Sequence, residues 1–187
     1  MATSNNNIVT KGLSGIIAKQ LVFSQRNGKT IVSKAPVFRK RATAAQVAHH
    51  TKFSKAAAYA KRALQDNTLK ELYKAEAQKH EGVSAYNLAV ADYLKVPVIE
   101  SVDTSAYTGV STGEKIVIAV SDNFKVTAVK VKISAQNQSV VEEGTAQLKE
   151  GKWEYSTTVV NGTLSGTKIA ITATDRPGNS ALKEISL

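Results

Sequence analysis

The first 97 residues and the last 90 follow different hydrophobic patterns. In the first part, β-rich segments at 19–25 and 29–35 flank Arg26-Asn27-Gly28 and predict a hairpin, because Asn-Gly supplies the positive φ angles of a type I′ turn. Residues 1–15 are polar and predict an arm or an irregular strand. Apolar residues point to both sides of the hairpin strands, so we expect the hairpin to complete its packing on another surface.

Three amphipathic helices are predicted after the hairpin. Thr43 and Gln46 form a capping box that opens an Ala-rich helix ending near Leu64. At about 100° per residue, its inward arc is Phe53, Ala57, Ala60 and Leu64, and its outward stripe is Lys52, Lys55, Tyr59 and Arg62. The second helix opens at Asn67-Thr68 with Glu71 and turns Leu69, Leu72 and Tyr73 inward. Ser84 caps the third, whose apolar positions are Tyr86, Ala89, Val90, Tyr93 and Leu94.

Pro97 closes the helical part, and short Val/Ile/Thr-rich runs then recur at about ten-residue spacing. The predicted strands are Val98–Val102, Lys115–Ser121, Thr127–Ser134, Val140–Gln147, Trp153–Val159, Thr167–Thr174 and Ala181–Ser186. This pattern predicts a β-sandwich of about seven strands with Trp153 in its core. The fold class is therefore α+β with two domains: a basic hairpin-plus-helical domain over 1–96 and a sandwich over 97–187.

Three segments of the second part share a pattern with a known superfamily. They are Gly113–Ser121 followed by Asp122-Asn123-Phe124, then Lys152-Trp153-Glu154-Tyr155, and Thr172-Ala173-Thr174-Asp175-Arg176-Pro177-Gly178-Asn179. With these segments, residues 98–187 resemble a bacterial immunoglobulin-like domain without the disulfide. The resemblance implies the sandwich fold and no particular function, because such domains have many roles.

The first part resembles an uncharacterised family of Bacteroidota proteins. The matching residues are Gly15-Ile16-Ile17-Ala18-Lys19, Gly28-Lys29-Thr30, Ser33-Lys34-Ala35-Pro36, the Thr43/Gln46 helix start, and Ser84, Tyr86 and Asn87. This resemblance implies no activity.

Charge is distributed unevenly along the chain. The first 65 residues contain 12 Lys and Arg and no Asp or Glu, whereas residues 101–187 contain 9 of each sign. Such a one-sign surface attracts acidic proteins, nucleic acid or anionic lipid, although a charged stripe can also serve only to solvate a helix. The predicted polyanion or partner contacts are Lys19, Arg26, Lys29, Lys34, Arg39, Lys40, Arg41, Lys52, Lys55 and Arg62.

No reaction chemistry is recognisable. The chain has no cysteine, its three histidines (His49, His50 and His80) lack metal-ligand spacing, and nucleotide-binding and nucleophile motifs are absent. Asp122, Asp175 and Asn179 fall near predicted sandwich ends, where domains of the resembled family sometimes bind calcium. Capping of their own turns is the favoured interpretation, and calcium binding stays open. The sequence thus predicts a non-enzyme with no cofactor, no metal site and no small-molecule substrate.

Two functions fit these features. The first is a structural assembly protein of bacterial or phage origin, part of a phage-like particle, a filament or a similar assembly. Its basic part would dock on other copies of the same protein, giving a homo-oligomer or polymer, or on an acidic protein. The second is a nucleic-acid-binding protein that contacts phosphates. The N-terminus is polar, and the longest aliphatic run is the five residues Ile116–Val120. These features predict synthesis in the cytoplasm without insertion into a membrane, and release in a particle stays open.

Overall fold

A computed structural model describes residues 2–4, 7–26, 28–37 and 42–187. The chain divides into two compact units, Met1–His50 and Thr51–Leu187. The described residues form three helices and three antiparallel four-stranded sheets, which is the mixed α+β composition that the sequence predicts. The proposed domain boundary at 96/97 stays a prediction; it lies where the last helix, ending at Leu94, gives way to a strand at Val98.

The first unit contains a sheet built around the predicted hairpin. Its strands are β1 (Ala2–Ser4), β2 (Gly15–Ile17), β3 (Leu21–Arg26) and β4 (Lys29–Lys34), in the order β1-β4-β3-β2. Gly28 has a φ of 72°, as the turn requires, and Asn27 lies outside the described residues. The segment 1–15, for which an arm or an irregular strand is predicted, supplies β1 and the first residue of β2. Lys19, expected in a strand, lies in a turn with a φ of 57°.

Helix α1 (Ala44–Ala63) begins in the first unit and ends in the second. Its capping box is confirmed: the Thr43 amide donates to Oε1 of Gln46 at 2.9 Å, and the Gln46 amide donates to Oγ1 of Thr43 at 3.3 Å. Helix α3 (Ala85–Leu94) is capped by Ser84 as predicted. The predicted Asn67 start of α2 (Asn67–Ala77) needs a small correction, because the capping side chain is that of Asp66, which accepts from the Leu69 amide.

The buried face of α1 differs from the predicted one. The side chains that are buried are Ala56, Ala60 and Ala63, whereas Phe53 is 48% exposed. Tyr59, predicted to face outward, packs on the helical core. Three alanines one turn apart let the ring of Tyr73, itself fully buried, approach the helix closely; shape therefore outweighs side-chain hydrophobicity here. Leu72 of α2, predicted to point inward, is exposed.

Two further sheets share one core in the second unit. The strands are β5 (Val98–Asp103), β6 (Lys115–Ser121), β7 (Val126–Ser134), β8 (Val140–Thr145), β9 (Gln147–Lys149), β10 (Lys152–Ser156), β11 (Lys168–Asp175) and β12 (Ser180–Ser186). Their orders are β5-β6-β10-β9 and β12-β11-β7-β8. The predicted strand at 140–147 is in fact two strands that lie in different sheets and meet at the buried Ala146.

Strict alternation explains how the two sheets bury one face each. In β11, Ile169, Ile171 and Ala173 are fully buried, and the residues between them are partly exposed. Trp153 and Tyr155 of β10 join the same core, as expected for Trp153. Most of this core consists of isoleucine and valine, in keeping with the low aromatic content of the chain.

Glu114 organises the loop before β6. Its carboxylate accepts from the amides of Thr108 and Gly109, each at 2.7 Å, and of Ser111 at 3.2 Å. The hydroxyl of Thr108 also donates to it, and this bond, followed by the amide bonds, lowers the pKa of Glu114 to about 2. The ionised side chain therefore holds the loop closed.

The lowered pKa of Glu114 predicts a pH-dependent effect of Glu114→Gln. Because the folded pKa is below the unfolded value, the carboxylate stabilises the fold fully above about pH 4.5, and this contribution is lost as the pH falls toward about 2. Thermal melts should therefore show the largest difference between Glu114→Gln and the parent near neutral pH, and the difference should shrink on acidification. Glu81→Gln, at an exposed turn position, is the control and should show no such trend.

The close approach of β8 to Tyr155 predicts the effect of Gly144→Ala. A Cβ at residue 144 would lie 2.7 Å from Cε2 of the buried Tyr155 ring, so the ring or the strand must shift. We expect a loss of about 1–3 kcal/mol of stability, measured by urea unfolding through the fluorescence of Trp153. Gly162→Ala, where a Cβ meets nothing within 4 Å, should change stability far less. Equal effects at both positions would contradict the steric explanation.

Candidate interaction surface

Four predicted contact residues of the first unit are described by the structure, and all four are exposed. Arg26 and Lys29 end the hairpin strands, Lys34 lies at the far end of β4, and Lys19 lies in the turn before β3. Arg26 and Lys29 are directly opposite each other in the register of the hairpin. Two like charges placed across a ladder repel each other, so this position weakens the isolated hairpin. A partner that supplies negative charge would remove that penalty.

One face of this sheet carries an apolar row next to the two charges. Residues paired across an antiparallel ladder share a face, and side chains alternate along each strand. Ile16, Val22 and Ile31 therefore lie on the face that also carries Arg26 and Lys29. Val22 and Ile31 are half-buried, whereas Ile16 is 63% exposed. This basic apolar face is defined by these five residues.

The opposite face is covered at its centre only. Phe23 and Thr30 lie there and are buried, although Leu21 and Ile17 on the same face stay exposed. The side chain of Gln25, also on this face, donates to the carbonyl of Leu13 at 2.7 Å. Apolar side chains thus occur on both faces, as the sequence predicts, and the basic apolar face is the more open of the two.

The remaining predicted contacts fall elsewhere. Lys52, Lys55 and Arg62 are exposed on α1, in the second unit. Arg39, Lys40 and Arg41 lie outside the described residues. None of the described predicted contacts forms an ion pair with another described residue. The role of these side chains as contacts stays a prediction.

The structure also contains an acidic cluster that the sequence analysis did not identify as a unit. It consists of Asp92 on α3, Asp122 in the turn after β6, and Asp175 at the end of β11, with one oxygen of each within 4.8 Å of those of the other two. Tyr73 donates its hydroxyl hydrogen to Oδ2 of the fully buried Asp92. Burial is the main cause that raises the pKa of Asp92 to about 6, and burial also raises the pKa of Asp175.

Asp122 and Asp175 cap their own turns, as the sequence favours. Oδ2 of Asp122 accepts from the Lys125 amide at 3.0 Å, and Oδ1 of Asp175 accepts from the amides of Gly178 and Asn179 at 2.9 and 2.6 Å. What spacing alone could not reveal is Asp92: it lies among apolar helix positions, and only the packing of α3 brings it to these two turns. The signal in the sequence is that Asp92 is the single charged residue of an otherwise largely apolar helix.

Comparison with known proteins assigns no family. No protein-family model matches the chain, and no curated protein matches it. Among solved structures, the N-terminal part of the bacterial S-layer protein SbsC matches with 12% sequence identity and a TM-score of 0.31, covering 73% of this chain and 38% of that one. The chain thus spans little more than a third of that structure, and so low a TM-score supports no conclusion about fold or function. No described helix is long and apolar enough to cross a membrane.

Tyr73→Phe should destabilise the helices. The substitution removes the hydrogen bonds of this hydroxyl with Asp92 and, at 3.1 Å, with the hydroxyl of Tyr59, and it leaves Oδ2 of a fully buried carboxyl group without its donor. We expect a loss of about 1–3 kcal/mol of stability at neutral pH, measured by the helical circular dichroism signal during unfolding. The control is Tyr86→Phe on α3, whose hydroxyl makes no hydrogen bond to another described residue. If both variants lose the same stability, the hydrogen bond is not the cause.

Proposed function

We propose that this protein is a non-catalytic assembly protein whose basic apolar face docks on the acidic surface of a partner or of a neighbouring copy. The observation that carries the proposal is the face itself. Ile16, Val22 and Ile31 offer apolar contact beside Arg26 and Lys29, and no described carboxylate lies in that unit to neutralise them. Apolar contact supplies affinity, and charge supplies orientation and speed of association.

The chemistry of the face favours an unlike surface over a symmetric contact between two identical faces. In a two-fold symmetric contact the same patch occurs on both sides, which would place the Arg26 and Lys29 pairs of the two copies close together. A contact between this face and a different, acidic surface avoids that repulsion. If that surface belongs to another copy, the contact is head-to-tail, and it builds a ring or a filament.

The second unit fits the role of an interaction module. We propose that residues 97–187 form an immunoglobulin-like sandwich domain, in a two-domain chain with the basic module over 1–96. Lettering β5 to β12 as A, B, C, C′, D, E, F and G gives sheets A-B-E-D and G-F-C-C′, an order that matches the immunoglobulin arrangement with one added strand. Eight strands around one core support this proposal, as does Trp153 within that core.

Nucleic-acid binding is the second candidate. The observation that favours it is the set of exposed basic side chains without ion-pair partners, which phosphates could neutralise. Tyr59 is the one aromatic residue of the predicted basic stripe; its ring lies 5.4 Å from that of Tyr93, centroid to centroid, and its hydroxyl is hydrogen-bonded with that of Tyr73. The stripe therefore offers little aromatic surface for stacking on the bases of single strands, and we rank this function second.

The variant Arg26→Glu with Lys29→Glu tests the docking face. Reversing both charges keeps a like-charge pair in the hairpin, so stability should change by no more than about 0.5 kcal/mol. Light scattering should show that the full-length parent forms assemblies that dissociate as the salt concentration rises. Alternatively, a binding assay should show that the parent forms a stable complex with immobilised polyglutamate, and this complex should also dissociate as the salt concentration rises. The variant should bind at least about tenfold more weakly, equivalent to about 1.4 kcal/mol.

The matched control is Lys130→Glu with Lys168→Glu, an equal charge change at exposed positions of the second unit. It should leave assembly and polyglutamate binding unchanged. The assembly proposal is contradicted if the parent is monomeric at high concentration and does not bind polyglutamate. If that parent instead binds duplex DNA with a steep salt dependence, and the Arg26/Lys29 variant does not, the nucleic-acid function replaces it.

A further inference from the structure

Three carboxylates from three separate segments meet in the second unit. Asp92 comes from α3, Asp122 from the turn that follows β6 of one sheet, and Asp175 from the end of β11 of the other sheet. Each places one oxygen within 4.8 Å of an oxygen of the other two. Like charges this close repel strongly unless a positive charge lies among them.

Two oxygens of the cluster are buried without a partner. Asp92 has no exposed surface, and its Oδ1 makes no hydrogen bond, although its Oδ2 accepts from Tyr73. Oδ1 of Asp122 is likewise buried and unpaired, whereas its Oδ2 accepts from the turn amides. Buried carboxylate oxygens normally have a partner. Two such oxygens in one cluster therefore indicate a missing ligand.

Arg176 does not fill that place. Its guanidinium lowers the pKa of Asp92 and so lies close enough to act on the cluster. However, it lies over the ring of Phe124, 5.1 Å from the centroid, and forms no ion pair within 4.0 Å with any described carboxylate. Its own Nη1 is buried without a hydrogen-bond partner, so it does not satisfy the unpaired oxygens in this arrangement. When all groups are ionised, three carboxylates and one guanidinium sum to a charge of −2, which one divalent cation neutralises.

We infer that Asp92, Asp122 and Asp175 bind a calcium ion that joins helix α3 to one turn from each of the two sheets. All three donors are carboxylate oxygens, the ligands that hard cations prefer, and no nitrogen or sulfur donor belongs to the cluster. Oxygens within 4.8 Å of one another are close enough to bind one calcium ion, whose bonds to oxygen are about 2.4 Å long and whose geometry is flexible, whereas magnesium requires a near-ideal octahedron. Water and backbone carbonyls would complete the coordination.

The surrounding structure already holds two of the three ligands in place. Amides of their own turns fix Asp122 and Asp175, so little ordering remains to be done when the ion binds. The side chain of Asn179 donates to the carbonyls of Tyr93 and Lys95 at 3.2 and 3.0 Å and ties the end of α3 to the turn of Asp175. Calcium at this point would strengthen an attachment that these bonds begin.

The test uses the full-length protein, freed of metal with a chelator, at pH 8. Calcium chloride should bind at one saturable site in calorimetry, and the melting temperature should rise with calcium concentration. Terbium, a luminescent substitute for calcium, should be sensitised by Tyr73, because its hydroxyl contacts Asp92. Magnesium should bind at least about tenfold more weakly than calcium, since it requires near-ideal octahedral geometry and gives up its water ligands reluctantly.

Asp92→Asn and Asp122→Asn each remove one charged ligand while keeping an oxygen that accepts the existing hydrogen bonds. Each should weaken calcium binding at least about tenfold. Without calcium, both variants should melt at the same or a higher temperature than the parent, because a repelling charge has gone. Because two variants are compared, the test still gives a result if one of them does not fold.

Asp66→Asn is the matched control, because asparagine caps a helix as well as aspartate does and the charge change is the same. It should leave calcium binding unchanged. Calcium binding that is absent at millimolar concentration overturns the inference. The inference is also overturned if Asp66→Asn and Asp92→Asn lose the same calcium affinity. It is overturned as well if the sensitised luminescence of terbium is unchanged in both Asp92→Asn and Asp122→Asn.

Discussion

The hydrogen bond from Tyr73 to Asp92 determines how the second unit is held together. The fully buried residues around Tyr73 are mostly alanine, and the larger apolar side chains of that core are only partly buried. Tyr73 is the largest fully buried side chain of the helical core, and its hydroxyl donates to a carboxylate that faces the turns of the sheets. A single aromatic side chain therefore joins an apolar helical packing to a polar junction. This explains why a buried acid is tolerated on α3.

The strands of the second unit were largely predictable because their physics is local. Alternation of period two, as in Ile169, Ile171 and Ala173, fixes which face is buried without reference to the rest of the chain. The same holds for the caps of Thr43 and Ser84, where the bonding partners are three residues away. The switch of sheet at Ala146 could not be predicted, because nothing in the local pattern separates one long strand from two short ones.

The helix faces and the acidic cluster depend on non-local shape. Phe53 is more hydrophobic than Ala56, yet Ala56 is buried, because Ala56 lies on the side of α1 that packs in the helical core with Tyr73. Asp92 likewise lies outside the apolar positions predicted for α3, and the two carboxylates next to it come from turns far along the chain. For the basic residues, composition predicted exposure, whereas the apolar row at Ile16 required the register of a strand that the sequence did not identify.

The charge imbalance has a consequence for how the first unit is stabilised. Residues 1–50 carry eight positive side chains and no carboxylate, so these charges repel each other, and Arg26 and Lys29 repel directly across the hairpin. The two edge strands of this sheet, β1 and β2, are only three residues long and add little stability. A partner with negative charge would relieve the repulsion and cover Ile16 in the same step. The unit should therefore gain order on binding, so that its docking and its folding stability change together with ionic strength.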